Sequence, residues 1–298
     1  MRMQIQILFV NILSNFKHLI MKTINKISKV KTFLVAITCF ITLNSCNNNE
    51  CKYNDQDTFP FSCDGGMDVA FVIDYTGSMG TAINGIKTAV ASIVSTIVTE
   101  SGGDYRLSLS IFDEYSKAQN ATYFTNADYT SLPAANKIIN TTGTTTNQYL
   151  TMMEKFGTAN TATFSSQLAK LNGSMPLGNG NGFAEPGGML MSEIVSNAFA
   201  GTWRPGKTKI MIIITDAPDG GDDDNNTAID DAYLSALATQ ANAQNIQCIL
   251  VTTLPTANYE ISLINNNTAG IALVRPDFST IATDIKTLIE NLCIANDN

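Results

Sequence analysis

Two uninterrupted apolar runs, each leading into an acidic residue, dominate the pattern of hydrophobic and polar positions. The first covers residues 69–73 and precedes Asp74; the second covers residues 210–214 and precedes Thr215 and Asp216. Such runs, bounded by turn residues, are typical of central strands that are covered on both faces. Because strands of this kind present functional groups at their carboxyl ends, both aspartates are candidates for a site.

The remaining pattern alternates between helix and strand. Apolar residues at helical spacing follow Asp74 over residues 83–97. Residues 107–111 alternate apolar residues with serines, which predicts a half-buried strand, and residues 121–125 are expected to pair with it antiparallel. Later patterns predict helices over residues 189–199, 227–243, 261–264 and 278–292, and strands over residues 246–251 and 271–274. We therefore expect an α/β fold with a doubly wound, mainly parallel central sheet, flanking helices and one antiparallel edge strand.

Oxygen-bearing side chains occupy alternate positions after the first run: Asp74, Thr76 and Ser78. Hard cations take oxygen ligands, and Mg²⁺ keeps several coordination positions for water or substrate. This Asp-x-Thr-x-Ser stretch resembles the Asp-x-Ser-x-Ser opening of the metal-ion-dependent adhesion site (MIDAS) of von Willebrand factor type A (VWA) domains. The resemblance implies a bound divalent cation, Mg²⁺ foremost, with Mn²⁺ or Ca²⁺ as alternatives. It also implies a protein partner whose Asp or Glu carboxylate completes the coordination.

The same resemblance implies two further ligands. Thr215 and Asp216 match the last motif of the family, so Asp216 is expected to contact the ion directly or through water. The glycine-rich residues 178–188 resemble the loop by which some members bring a glutamate to the metal, and Glu185 is carried over on that basis. The alternatives are a turn or helix-cap role for Asp216 and a solvated loop carboxylate for Glu185.

Two segments near the expected site are open to more than one interpretation. Residues 126–182, in which 149–156 and 164–171 predict short helices, exceed what the family usually has here and are interpreted as an insertion. It either shapes partner choice or is a tolerated surface elaboration. Residues 219–225 are acidic and either hold a second cation, such as Ca²⁺, or form a solvated turn before a helix.

The amino-terminal residues 1–45 carry six Lys or Arg and no acidic residue, and an apolar stretch over residues 33–43 follows the basic part that begins at Met21. Leu-Asn-Ser before Cys46 resembles the lipobox of bacterial lipoproteins. We expect translation from Met21, lipidation of Cys46, and a location in the bacterial cell envelope, with the outer membrane expected and the facing open. An ordinary cleaved signal is the alternative. We expect the rest of the chain to form a polar tether over residues 46–66, a VWA-like domain over residues 67–292 and a tail over residues 293–298.

The charge and the histidine content of the chain exclude several classes of function. Without residues 1–45, the chain has 12 basic and 26 acidic residues, which gives a formal charge of −14. A charge of this sign disfavours nucleic acid as a partner. The only histidine, His18, also lies in the removed segment, so histidine-dependent nucleophile pairs and zinc sites are excluded. A non-enzymatic, lipid-anchored adhesion or protein-interaction module is therefore expected. The alternatives are a metal-dependent hydrolase and a scaffold with a vestigial metal site.

Four cysteines follow Cys46, and four cysteines allow three sets of pairings, among which the sequence alone does not choose. Because the two ends of a VWA domain lie close together, the resemblance favours a disulfide between Cys63 and Cys293. Cys248, inside an apolar run, is expected to be a buried free thiol.

Overall fold

The central element is a seven-stranded sheet. The computed structural model describes residues 63–116, 122–140, 146–180, 182–254 and 258–294. The expected signal segment, Cys46 and most of the tether lie outside these residues. The strands are β1 (Met67–Asp74), β2 (Tyr105–Ser116), β3 (Lys137–Asn140), β4 (Thr146–Thr158), β5 (Thr208–Thr215), β6 (Ile246–Thr252) and β7 (Ile271–Val274).

The strand order is β3-β4-β2-β1-β5-β6-β7. Strands β2, β1, β5, β6 and β7 are parallel neighbours, and β4 runs antiparallel to both β2 and β3. The expected doubly wound, mainly parallel sheet is confirmed. The reversed strand lies one position in from the edge, because β3 adds a further strand outside it.

Helices cover both faces of the sheet. They are α1 (Ile83–Glu100), α2 (Ala127–Thr130), α3 (Thr161–Lys170), α4 (Gly187–Ser196), α5 (Ala228–Ala243) and α6 (Ile281–Ile294). Helices α1, α3 and α6 pack on one face, and α4 and α5 on the other. Successive residues of β1 contribute to the two cores in turn, which explains its uninterrupted apolar sequence. Among the described residues, no helix is long and apolar enough to cross a bilayer.

Double coverage also corrects the expectation for β2. Its serines were expected to face solvent, yet Ser108 and Ser110 are fully buried. The Ser110 hydroxyl donates a hydrogen bond to the Phe71 carbonyl oxygen at 3.0 Å, which satisfies it inside the core. An alternating pattern therefore arises here in a strand that is buried on both sides.

The predicted helix over residues 149–156 is wrong, because these residues lie in β4. Strand β2 is 12 residues long, and β4 pairs along it from Arg106–Thr158 to Ser116–Thr146. Pairing with an otherwise open edge outweighs the local spacing of apolar residues. The antiparallel partner expected at residues 121–125 is also wrong, since Thr122–Thr125 forms a 3₁₀ turn. The helix predicted over residues 164–171 is confirmed as α3.

The ends of the domain are joined covalently. A disulfide links Cys63 to Cys293, the pairing that the resemblance favoured, with 5.1 Å between the Cα atoms and 230 residues between them. Closing a loop of that length removes about 5 kcal/mol of unfolded-chain entropy in the simplest model. Cys248 is a buried free thiol, as expected.

An ion-pair network closes the amino-terminal edge of the sheet around Asp68, which is fully buried. Its Oδ1 accepts hydrogen bonds from Arg106 Nε at 2.9 Å and from Arg204 Nε at 2.8 Å. Arg204 and Lys207 also pair with Asp104. Burial alone raises the pKa of Asp68, but the bonds from Arg106 and Arg204 outweigh it and hold that pKa below its ordinary value.

Replacing Asp68 by Asn is expected to lower the free energy of unfolding by about 2–3 kcal/mol at neutral pH, since it leaves the partly buried guanidinium groups of Arg106 and Arg204 without their counter-charge. The native pKa of Asp68 is depressed, so its contribution is present above the unfolded value of about 3.9 and is lost as pH falls through the native pKa. Urea unfolding of wild type and variant from pH 7 to pH 3 measures this. A stability difference that stays constant over that range would contradict the assignment.

Candidate metal site

Three neighbouring parallel strands end in acidic residues at one edge of the sheet. Asp74 is the last residue of β1, Asp113 and Glu114 lie near the end of β2, and Asp216 directly follows β5. Because β2, β1 and β5 are adjacent, these side chains share the carboxyl edge. The site of interest is built on this edge.

Asp74 is the fully buried centre of the group. Its Oδ1 accepts hydrogen bonds from the Thr76 backbone N at 2.9 Å and the Thr76 hydroxyl at 2.7 Å. Its Oδ2 accepts from the Thr215 hydroxyl at 2.7 Å. Burial raises the pKa of Asp74 to about 6, although these hydrogen bonds oppose the rise. The carboxylate is thus held in one orientation by neutral donors only.

Thr76, Ser78 and Asp216 continue the chain of oxygens. Thr76 Oγ1 lies 3.0 Å from Ser78 Oγ, and the Ser78 hydroxyl donates to Asp216 Oδ1 at 2.9 Å. Each hydroxyl also lies within hydrogen-bond distance of an aspartate, Thr76 of Asp74 and Ser78 of Asp216, and either hydroxyl could be the donor in the contact between them. The four oxygens thus form one continuous row.

The spacing of these oxygens fits an octahedral cation. With ligands at about 2.1 Å, as Mg²⁺ requires, neighbouring ligands lie about 3 Å apart. The contacts of 2.7, 3.0 and 2.9 Å from Asp74 through Thr76 and Ser78 to Asp216 match that separation. No three Asp, Glu, Cys or His groups within the described ranges converge on a metal position, so hydroxyl oxygens are essential to this set.

Glu185 reaches the same region from the glycine-rich loop. Its backbone N donates to the Pro218 carbonyl at 2.8 Å, and its own carbonyl accepts from Gly220 N at 3.0 Å, which ties it to the loop after β5. A Cβ added to Gly180 would lie 3.0 Å from Glu185 Oε1 and 3.2 Å from Thr76 Cβ, so Gly180 lies against both side chains. Glu185 Oε2 is buried and has no hydrogen-bond partner.

Several acidic side chains surround Glu185 and affect its pKa. Burial, and after it the charges of Asp74, Glu114 and Asp113, raise the pKa of Glu185 well above its ordinary value. A buried glutamate is not the solvated loop carboxylate of the alternative interpretation. The structure brings all five predicted ligands to one edge, and their role as metal ligands stays a prediction.

Asp113 and Glu114 were not identified from the sequence. Both are fully buried. Burial raises the pKa of Asp113 to about 8, and burial with the nearby Asp224 raises that of Glu114 to about 9. Asp113 Oδ1 accepts from Gly180 N at 3.0 Å, whereas its Oδ2 and both Glu114 oxygens make no hydrogen bond of normal geometry. They lie near the carboxyl end of β2, as Asp74 does in β1, and that position is the signal that could have identified them.

No described Lys or Arg neutralises this edge. None of the ion pairs among the described residues involves Asp74, Asp113, Glu114, Glu185 or Asp216. Buried carboxylates without a basic partner are costly unless they bind a proton or a cation. The donor set, its spacing and its charge therefore fit a hard divalent cation.

The acidic loop after β5 is anchored through Asp219, which is fully buried rather than solvated. Its Oδ1 accepts from Gly188 N at 2.8 Å and from the Tyr259 hydroxyl at 3.0 Å. Burial raises the pKa of Asp219 to about 7. Asp219 thus ties this loop to the start of α4, while Asp222 is exposed.

Similarity to known proteins was found among solved structures. No family model matches the sequence, and no curated protein matches it. The SpRpn10 VWA domain is similar at 13% identity and a TM-score of 0.47, over 73% of this chain and 94% of that one. Proximal thread matrix protein 1 from the mussel byssus is similar at 15% and 0.47, over 78% and 48%. A von Willebrand factor type A structure from Catenulispora acidiphila is similar at 12% and 0.45, over 77% and 43%.

All three structures have TM-scores below 0.5 and share at most 15% of their residues with this chain. The function of the site is therefore inferred from the residues of this chain alone.

The close approach of the glycine-rich loop to Asp113 generates a stability prediction. A Cβ on Gly178 would lie 2.0 Å from Asp113 Oδ2, and Asp113 is buried and bonded to the same loop. We expect Gly178→Ala to lower the free energy of unfolding by about 1–3 kcal/mol in chemical denaturation. The control is Gly85→Ala in α1, where a Cβ meets nothing within 4 Å. It should stabilise by about 0.5–1 kcal/mol. Equal stability of the two variants would refute this packing.

Proposed function

We propose that this protein is a binding module that captures a protein ligand through a divalent cation held at the carboxyl edge of the sheet. The observation that supports the proposal most directly is the row of oxygens from Asp74 through Thr76 and Ser78 to Asp216, in which neighbouring atoms lie 2.7, 3.0 and 2.9 Å apart. Mg²⁺ is the proposed ion, with Mn²⁺ or Ca²⁺ as alternatives. A bound ion would supply a Lewis-acidic centre that accepts a carboxylate from the partner.

The protein residues have distinct proposed roles. Asp74 and Asp216 supply negative charge, and Thr76 and Ser78 supply neutral hydroxyl oxygens. Glu185 adds a carboxylate that is poised beside them, with Oε2 available for a direct or water-mediated contact. Because Ser78 is exposed and Asp216 only partly buried, the set is accessible from solvent on one side. A partner's Asp or Glu is therefore the proposed occupant of that side.

The proposed role is binding rather than catalysis. The sole histidine is His18, so the general bases available to the domain are carboxylates. The described hydroxyls and carboxylates are hydrogen-bonded to one another, an arrangement suited to holding an ion. An adhesive or protein-interaction function accounts for these features without a reaction step.

The proposed location is the bacterial cell envelope, with the chain anchored by a lipid on Cys46. The support is the basic, acid-free segment 1–45, its apolar stretch and the lipobox-like residues before Cys46. The disulfide between Cys63 and Cys293 is consistent with an oxidising compartment.

The metal site is tested by isothermal titration of Mg²⁺ and Mn²⁺ into the purified full-length chain. We expect Asp216→Asn to weaken binding by about 100-fold or more, since even outer-shell changes cost about 10- to 100-fold. Glu100→Gln, at the far end of α1, removes one negative charge away from the site and should bind as wild type does. If the wild type binds neither Mg²⁺ nor Mn²⁺, the proposed metal site is refuted.

Thr76 provides a matched pair of variants for the same titration. Thr76→Ser keeps the hydroxyl and should retain binding within a few-fold. Thr76→Val keeps the shape and loses the oxygen, so we expect a loss of about tenfold or more. Equal affinities of the two variants would mean that Thr76 is not a ligand.

The lipid anchor is tested by replacing Cys46 with Ser in cells that process lipoproteins. We expect the wild type to enter the detergent phase and to take up labelled fatty acid, whereas Cys46→Ser takes up none and moves to the aqueous phase. Cys51→Ser is the control and should behave as wild type. Labelling that persists in Cys46→Ser would refute the anchor.

A further inference from the structure

The proposed ligand Glu185 lies on a loop that has little stiffness of its own. Residues 178–188 contain five glycines, and glycine has more backbone freedom than any other residue. The buried Oε2 of Glu185 has no hydrogen-bond partner, so no side-chain bond fixes that oxygen. The position of the carboxylate therefore depends on what holds the backbone of Glu185.

The backbone of Glu185 is bonded to the loop after β5 on both sides of Asp219. Glu185 N donates to the Pro218 carbonyl at 2.8 Å, and the Glu185 carbonyl accepts from Gly220 N at 3.0 Å. Glu185 and Asp219 are thus paired like residues of two parallel strands. Because both bonds flank Asp219, a displacement of Asp219 would move Glu185 with it.

The side chain of Asp219 is held by two other segments of the chain. Its Oδ1 accepts from Gly188 N at 2.8 Å and from the Tyr259 hydroxyl at 3.0 Å, and Tyr259 is fully buried. A Cβ on Gly187 would collide with that hydroxyl, so Tyr259 also packs directly against the start of α4. The Tyr259 hydroxyl therefore fixes Asp219 relative to the residues that follow Glu185.

Asn258 holds the backbone of the same aspartate. Its Oδ1 accepts from Asp219 N at 2.9 Å, and its Nδ2 donates to the Asp219 carbonyl at 3.1 Å. Asn258 precedes a π-helical segment, Tyr259–Ile264, and segments of this kind are frequent at functional sites. We call Asp219, Asn258 and Tyr259 the Asp219 support.

None of these three residues is a proposed ligand, so any effect on the ion is exerted through the position of Glu185. Mg²⁺ demands nearly ideal octahedral geometry with ligands at about 2.0–2.1 Å. Ca²⁺ accepts about six to eight oxygens at about 2.3–2.6 Å in a more flexible arrangement. Accurate placement of a carboxylate therefore matters more for Mg²⁺ than for Ca²⁺.

We propose, resting on the function proposed above, that the Asp219 support positions Glu185 and thereby makes the site selective for Mg²⁺ over Ca²⁺. Its members are positioning residues, and Glu185 is the ligand through which they act. A weakened support leaves Glu185 on a glycine-rich loop that no longer holds it in one place. Ca²⁺ tolerates such a ligand, whereas Mg²⁺ loses affinity.

The first test is isothermal titration of Mg²⁺ and, separately, of Ca²⁺ into the purified full-length wild type and Tyr259→Phe, which removes only the hydroxyl. We expect the Mg²⁺ affinity to fall about tenfold, as for other changes outside the ligands themselves, and the Ca²⁺ affinity to fall by a smaller factor. Equal losses for the two ions, or no loss, would overturn the inference and leave the proposed function standing. Absence of cation binding by the wild type would overturn both.

Tyr105→Phe is the matched control. The Tyr105 hydroxyl is hydrogen-bonded to Thr161 Oγ1 at 2.6 Å, and Tyr105 is a buried residue at the amino-terminal end of β2, away from the site. Both variants lose one hydroxyl and its hydrogen bond, but only Tyr259→Phe should change the ratio of Mg²⁺ to Ca²⁺ affinity. The same change of ratio in Tyr105→Phe would mean that general destabilisation is the cause, and the inference would fail.

A second variant and a double-mutant cycle test the route through Glu185. Asn258→Ala removes both side-chain bonds to the Asp219 backbone and should shift the affinity ratio in the same direction as Tyr259→Phe. In a Glu185→Gln background, which lacks the carboxylate, Tyr259→Phe should reduce the Mg²⁺ affinity by a smaller factor than it does in the wild type. Equal factors in the two backgrounds would show that Tyr259 does not act through Glu185.

Discussion

Mutual repulsion of buried carboxylates is the constraint around which the carboxyl edge is built. Asp74, Asp113 and Glu185 are withdrawn from water within one group, and the described residues supply no basic partner for them. Like charges in a poorly polarisable interior require neutralisation by protons or by a cation. The hydroxyls of Thr76 and Thr215 and the amide of Gly180 orient the carboxylates but leave the charge itself in place.

Strand β1 contains its own comparison, because Asp68 and Asp74 are both fully buried in it. Asp68, at the amino edge, is enclosed by the guanidinium groups of Arg106 and Arg204, and its pKa is lowered. Asp74, at the carboxyl edge, meets only neutral donors, and its pKa is raised. Arginine side chains thus neutralise the buried aspartate at one end of the strand, whereas the buried aspartate at the other end has no basic partner among the described residues. That contrast supports an external cation as the missing partner.

Residues of the site differ in how well local sequence reveals them. Asp74, Thr76, Ser78 and Asp216 stand directly after apolar runs, so the end of a strand marks them. Asp113 and Glu114 lie within β2, whose buried serines imitate a solvent-facing pattern, and they were missed for that reason. The helix expected over residues 149–156 failed because the decisive interaction, pairing with β2, joins residues far apart in the chain.

The sequence by itself determined the five parallel strands, among them the two central ones, and the oxygen donors that follow the central strands. Burial on both faces demands the continuous apolar residues that mark those two strands. Only the tertiary structure decided that β4 is a strand. It alone also decided that Glu185 is withdrawn from water, and that the Thr76 and Ser78 hydroxyl oxygens lie 3.0 Å apart between Asp74 and Asp216. These properties depend on distances between segments that meet only when the sheet is assembled, and no local pattern encodes such distances.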